Sequence, residues 1–239
     1  MSALLPVPED WSRALAVVAH PDDLEYGAAA AVARWTAQGK QVTYLLVTSG
    51  EAGIDAMAPD RVAVLRQDEE HRSAAVVGVD TVEFLAHPDG LVEPSLALRR
   101  DLAAVVRRHR PDVLVSLNFR ERWPGGALNH ADHRAVGVAL LDAARDAANR
   151  WVFTGAGGEP WAGVRFALFN GAPEPTHHVD VTDTIELGIA SLREHDVYLA
   201  HLPDGTTGKD PDPFLRGMAR AAGDACGVEY ATTFELIEL

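Results

Sequence analysis

The chain has 239 residues, 47% of them hydrophobic, which suits one large α/β domain and argues against disorder. Asp and Glu number 35 against 21 Lys and Arg, giving a net charge of −14; an acidic chain without a basic stripe excludes nucleic acid as the main partner. The single cysteine, Cys226, excludes an internal disulfide and a thiolate-rich zinc site, so any metal must be held by His, Asp or Glu.

The elements follow in chain order. Residues 1–11 lack the basic and apolar regions of a signal peptide, and no apolar run approaches the roughly 20 residues of a membrane span. A cytoplasmic protein with no membrane partner is expected. Ala14–Ala19 reads as a buried strand. Glu25–Gln38 is Ala-rich at helical spacing and is stopped by Gly39. Gln41–Val47 is a second strand, and Pro59 to about Val77 a helix. Thr81–Leu85 is a third strand. Pro94 to about His109 is a helix ended by Pro111. Asp112–Leu117 is a fourth strand, and Asp132–Ala148 a further helix. Val164–Phe169 and His177–Val181 read as short strands. Thr182–Leu199 is a helix, Leu202–Pro213 an exposed loop, and Val228–Leu236 a closing strand. Cys226 reads as a small buried residue.

Strands alternating with helices imply a mostly parallel sheet covered by helices on both faces. We expect one domain over residues 1–239, with a core of about 14–150 and an extension of the same domain over about 151–239. Ligands of such sheets bind outside the carboxyl ends of the strands. His20 follows the first strand, Thr48-Ser49-Gly50-Glu51 the second and Asn118 the fourth, so these polar clusters share a rim.

Two clusters carry chemistry. The run His20-Pro21-Asp22-Asp23 ends the first strand. Adjacent aspartates repel unless something positive sits between them, and a divalent cation is the simplest answer. His20 and Asp23 can converge on that cation while Asp22 points to its water. The alternative is that Asp22 or Asp23 caps the helix beginning near Glu25. The second cluster is His130-Ala131-Asp132-His133. Histidines three apart meet on one helix face or flank its first turn, and Asp132 fits the N-cap region. Alone, such a pair is as well read as solvated. Two His and one Asp make three protein ligands with an open position, the pattern of catalytic zinc. Iron, manganese or cobalt suit the same donors.

The run Ala19-His20-Pro21-Asp22-Asp23-Leu24-Glu25, with the later His-x-x-His, resembles the LmbE-like, or PIG-L-like, zinc-dependent N-deacetylases. The likeness extends to Thr48–Gly53, to Leu65-Arg66 with Glu69 or Glu70, to Pro88-Asp89-Gly90 and to Leu192–Asp196. It implies a single-domain, Rossmann-like three-layer fold and removal of acetyl from an N-acetylglucosamine-type conjugate. By position it makes His20, Asp23 and His133 the metal ligands, Asp22 the general base, and His130 the residue that stabilises the oxyanion in its protonated form. The chain departs from the family at Ala131, where Pro is common, and at Asp196-Val197, where Ser-Gln often follows the C-terminal His.

Substrate contacts are expected from Glu51, Arg66, Asp89, Asn118, Arg120 and Trp123. Glu51 reads equally as a loop cap, Asp89 as an Asx turn, and Arg66 as a partner of Glu69 or Glu70. Loop 118–129 exceeds the usual strand–helix connection and lies beside the proposed metal. A metal-dependent hydrolase of another amide or a phosphoester is the nearest rival. A nucleotide-binding protein would need a Gly-rich turn after the first strand, where His-Pro-Asp-Asp stands instead. A non-catalytic sugar-binding module would not need the full set of catalytic residues. A homo-oligomer is left open.

Overall fold

The most apolar stretches of the chain become its central strands. A computed structural model describes residues 4–239. β2 (Arg13–Val18) lies between β3 (Gln41–Leu46) and β5 (Val113–Leu117), parallel to both. Alternate side chains serve two cores: Ala14, Ala16 and Val18 enter one, and Leu15, Val17 and Ala19 the other. The first core is covered by α1 (Ala29–Ala37), α5 (Ile185–Arg193) and α7 (Pro211–Cys226), the second by α3 (Leu96–His109) and α4 (Ala131–Ala148). α2 (Pro59–Val76) packs beside α5.

The sheet of the described residues has eight strands in the order β1 (Leu5–Pro6), β7 (His177–Asp180), β8 (Ala231–Glu238), β6 (Phe166–Asn170), β5, β2, β3, β4 (Thr81–Phe84). β8 runs against β6 and β7, while the other pairings are parallel. From β2 the chain moves one way to β3 and β4, then crosses back to β5 on the other side. The strand order therefore reverses between β2 and β5, and a crevice opens at their carboxyl ends. The expected three-layer α/β architecture is present.

Three elements differ from the expectation, each for a physical reason. The helix expected from Glu25 begins at Ala29, because residues 21–27 are spent on turns that aim the polar side chains. The helix expected over Thr182–Leu199 is two: α5, and α6 (Asp196–His201). Side chains of α2 hold that break open. Arg72 donates to the Glu194 carbonyl at 3.0 Å, and Glu69 Oε1 accepts the Val197 and Tyr198 N–H groups at 2.8 and 3.3 Å. The expected loop to Pro213 ends early, at α7. Pro211 and Pro213 stand in the first turn of α7, where a missing N–H leaves no bond unmade, and Gly227 (φ 76°) closes its far end. Leu215, Ala219 and Gly223 bury one face of α7, whereas Cys226 is only half-buried.

Arg107 ties α3 to the chain after α4. It is 3% exposed. Its guanidinium donates to the carbonyls of Asp146, Ala147, Asn149, Val152, Phe153 and Ala156 at 2.8–3.1 Å. Removing it strands several buried carbonyls together. Arg107→Leu is expected to destabilise the fold by about 3 kcal/mol in urea unfolding, and Arg107→Lys to recover only part, since an ammonium cannot span the fork.

Candidate metal centre

β2 delivers His20-Pro21-Asp22-Asp23 to the crevice as a tight turn. Asp23 Oδ2 accepts the backbone N–H groups of Ala19 and His20 at 3.0 and 2.9 Å, so this carboxylate closes the end of β2. It does not cap α1, whose first turn has no side-chain cap. Across the crevice, α4 follows its N-cap His130 and brings His133 over the same point. His20 Nδ1 and His133 Nε2 lie 3.2 Å apart. Asp23 Oδ1 is 3.0 Å from His133 Nε2, and Asp23 Oδ2 is 3.6 Å from His20 Nδ1. All three side chains are nearly buried.

Neighbouring groups orient the two imidazoles. Asn129 Nδ2 donates to the carbonyls of Asn118 and Arg120, which leaves Asn129 Oδ1 to accept from His133 Nδ1 at 3.0 Å. His133 Nε2 then carries a lone pair. His20 Nε2 faces Asp89 Oδ1 at 3.1 Å and Asp132 Oδ2 at 3.4 Å, so it holds the proton and Nδ1 carries the lone pair. Asp132 is held in turn by the N–H groups of Gly90 and Val92 at 2.8 and 3.2 Å. Two imidazole lone pairs and a carboxylate oxygen thus converge. A proton shared between His20 Nδ1 and His133 Nε2, or a cation in its place, satisfies this arrangement. Tetrahedral zinc ligands at their usual bond lengths are spaced about 3.3–3.6 Å apart, so the donor set fits a divalent ion.

The titration of the cluster points the same way. Burial depresses the His20 imidazolium, but Asp23, Asp132 and Asp89 outweigh burial and hold it well above its ordinary range. Burial raises the Asp23 carboxyl, but His133 and His20 overcome it and leave the group well below its ordinary value. Positive charge is stabilised here.

Asp22 stands apart from the donors. Its φ is 101°, a conformation that L-residues rarely adopt. Arg66 Nη2 lies 3.1 Å from Asp22 Oδ1. Burial pushes Asp22 up to about 6, although Arg66 opposes the shift. Arg66 also donates to the carbonyls of Pro21 and Gly50, and its guanidinium lies over the Tyr198 ring at 4.0 Å. Gly50 is required for that approach: its φ is 62°, and a Cβ there would sit 2.4 Å from Arg66 Nη1.

His130 is half exposed at the mouth of the crevice. Its Nδ1 accepts the Asp132 N–H at 3.2 Å, making His130, not Asp132, the N-cap of α4. Burial, together with His20 and His133, lowers its pKa. Accepting at Nδ1 places a ring proton of His130 on Nε2.

The six expected substrate contacts divide. Arg66 and Asn118 are buried, and their polar groups bond to protein; Asn118 donates to the Arg122 carbonyl and accepts from the Arg120 N–H, both at 2.9 Å. Glu51 Oε1 accepts the Asp89 N–H at 2.9 Å, and Asp89 Oδ2 accepts the Ala52 N–H at 2.9 Å, so these two residues knit the loops after β3 and β4. Trp123 stands edge-on to His133 at 5.8 Å. Arg120 pairs with Glu235 and covers Phe119. The sequence reading passed over Asn129 as a site residue and placed Asp132 only as a cap. Asn129 lies four residues before His133, a spacing that meets on a helix face, but nothing local marks its carbonyl oxygen as the group that sets a tautomer.

A switch-point crevice in a mostly parallel sheet, holding a buried His/Asp/His donor set, defines an α/β protein with a candidate cation site. The family model for PIG-L, the GlcNAc-PI de-N-acetylases, matches residues 15–144, and the chain belongs to that family. It is 27% identical over 228 residues to a diacetylchitobiose deacetylase of Thermococcus kodakarensis, covering 93% of this chain and 82% of the relative. It is 31% identical over 182 residues to a 1D-myo-inositol 2-acetamido-2-deoxy-alpha-D-glucopyranoside deacetylase of Kineococcus radiotolerans, covering 62% of this chain and 49% of that protein. The solved N,N'-diacetylchitobiose deacetylase of Pyrococcus horikoshii, complexed with its inhibitor MPG, superposes with a TM-score of 0.85 at 25% identity, covering 96% of this chain and 85% of that one.

Adding zinc, manganese or cobalt to chelator-stripped protein is expected to raise its melting temperature, and His133→Ala to abolish the rise. An equal rise in His133→Ala would place the ion elsewhere.

Proposed function

We propose that the protein is a metal-dependent amidohydrolase that removes the N-acetyl group from an N-acetylglucosamine-type sugar conjugate. One observation carries this reading. A single turn of chain supplies two donors that converge with His133, and between them Asp22, whose carboxylate is held at Arg66 rather than spent on the donor set. Family membership and the named deacetylase relatives support the reaction class.

In this reading His20, Asp23 and His133 hold the ion, for which zinc best suits two imidazoles and a carboxylate. When bound, the ion supplies Lewis-acid polarisation of the amide carbonyl and lowers the pKa of water. Asp22 accepts the proton of the attacking water, and Arg66 fixes the carboxylate that receives it. His130 donates from Nε2 to the oxyanion of the tetrahedral intermediate. The C–N bond then breaks, and the amine departs with the proton that Asp22 took from water, leaving acetate. Glu51, Asp89, Arg120 and Trp123 flank the mouth, where a sugar would lie; Asn118 and Arg66 serve it from behind.

The test is an acetate-release screen across N-acetylated sugars, with purified protein and defined metals. Turnover of at least one N-acetylglucosamine conjugate is expected, with about one ion per chain by elemental analysis. Asp22→Asn is expected to keep the ion and lose about 10²- to 10⁴-fold in kcat. Phosphoester turnover without acetate release would assign a different hydrolase class, and a fully active metal-free protein would overturn the mechanism.

A further inference from the structure

Behind Asp22 lies a second polar cluster that the proposed reaction does not use. Glu25, Glu70 and His195 are fully buried. His195 Nε2 is 3.8 Å from Glu25 Oε2 and 3.7 Å from Glu70 Oε2, beyond hydrogen-bond reach. Both nitrogens of His195, Glu25 Oε2 and Glu70 Oε1 have no hydrogen-bond partner among the described residues. Burying such groups costs free energy that an apolar side chain of similar size would not. Packing alone does not account for a glutamate at position 70.

The bond that Glu70 does make supplies a reason. Its Oε2 accepts the backbone N–H of Asp22 at 3.3 Å. Arg66 and Glu70 are four apart on α2 and so share one face. Arg66 takes the Asp22 carboxylate; Glu70 takes the Asp22 amide. Asp22 needs both holds because its φ of 101° is strained, and such a residue persists only where its surroundings over-determine it. Glu25 is anchored by the Ser73 hydroxyl at 2.7 Å, and Ser73 meets Ser191 of α5 at 2.8 Å, so the wall behind Glu70 is tied to two helices.

We propose that Glu70 is a positioning residue for Asp22. By accepting the Asp22 N–H it holds the peptide in the positive-φ conformation in which the carboxylate meets Arg66. Glu25 and His195 fill the space behind it. The proposal rests on Asp22 as the general base.

The test compares Glu70→Gln, which keeps an acceptor oxygen, with Glu70→Met, which keeps the volume and removes it; Glu70→Ala serves if the Met variant does not fold. With N,N'-diacetylchitobiose as the probe, Glu70→Gln is expected to stay within about threefold of the parent in kcat, and Glu70→Met to lose about 10- to 100-fold at unchanged KM and metal content. Crystal structures of the variants read Asp22 directly, whatever the substrate. Asp22 is expected to leave positive φ or lose Arg66 in Glu70→Met and to keep both in Glu70→Gln. Unmoved Asp22 geometry in Glu70→Met, or equal loss of kcat in both variants, overturns the proposal. An Asp22→Asn enzyme at full activity would instead sink the general-base reading, which the crystallographic comparison separates from this one.

Discussion

Two imidazole lone pairs face each other across 3.2 Å, on His20 and His133, with the Asp23 carboxylate beside them. The surroundings of the site are arranged around that contact. A proton or a cation must lie between the two nitrogens. The contact is enforced from both sides, by Asp89 and Asp132 on His20 and by Asn129 on His133. Each of these groups holds a ring proton away from the centre. Each is in turn bonded to backbone, so the tautomers are set by parts of the fold that do not touch the ion position.

The sheet makes the contact available. His20 sits at the end of β2 and His133 on the helix after β5, and these adjacent strands lie where the strand order reverses. Residues 113 apart in sequence become neighbours because no helix crosses between the two carboxyl ends. The long connection after β5 lies over this opening, with Trp123 against His133 and Arg120 paired to Glu235 of the C-terminal strand. In the proposed reading, substrate selection falls to these loops, and the donor set sits at their base.

α2 acts as the second organiser. Its low hydrophobicity as a helix reflects the work of its polar face: Arg66 and Glu70 reach Asp22, while Glu69 and Arg72 secure the break between α5 and α6. The same break puts Tyr198 against Arg66 and buries His195 behind Glu70. A substitution on α2 can therefore disturb Asp22 without touching the donor set.

Much of this was legible in the chain. The buried strand ending in His-Pro-Asp-Asp, the His-x-x-His before a helix and the alternation of apolar strands with helices are local patterns, and local patterns are set by side-chain chemistry and period. Helix α7 was not legible, because two prolines that signal a loop also fit a first helical turn. The break between α5 and α6 was equally hidden, since its partners lie on α2, more than a hundred residues away. The sequence by itself determined which residues could bind a cation and which carboxylate was spare. Only the tertiary structure decided the tautomers of His20, His133 and His130 and the inward commitment of Arg66 and Asn118. Those depend on which distant backbone groups each side chain meets, and hydrogen-bond partners of that kind leave no period or spacing in the chain.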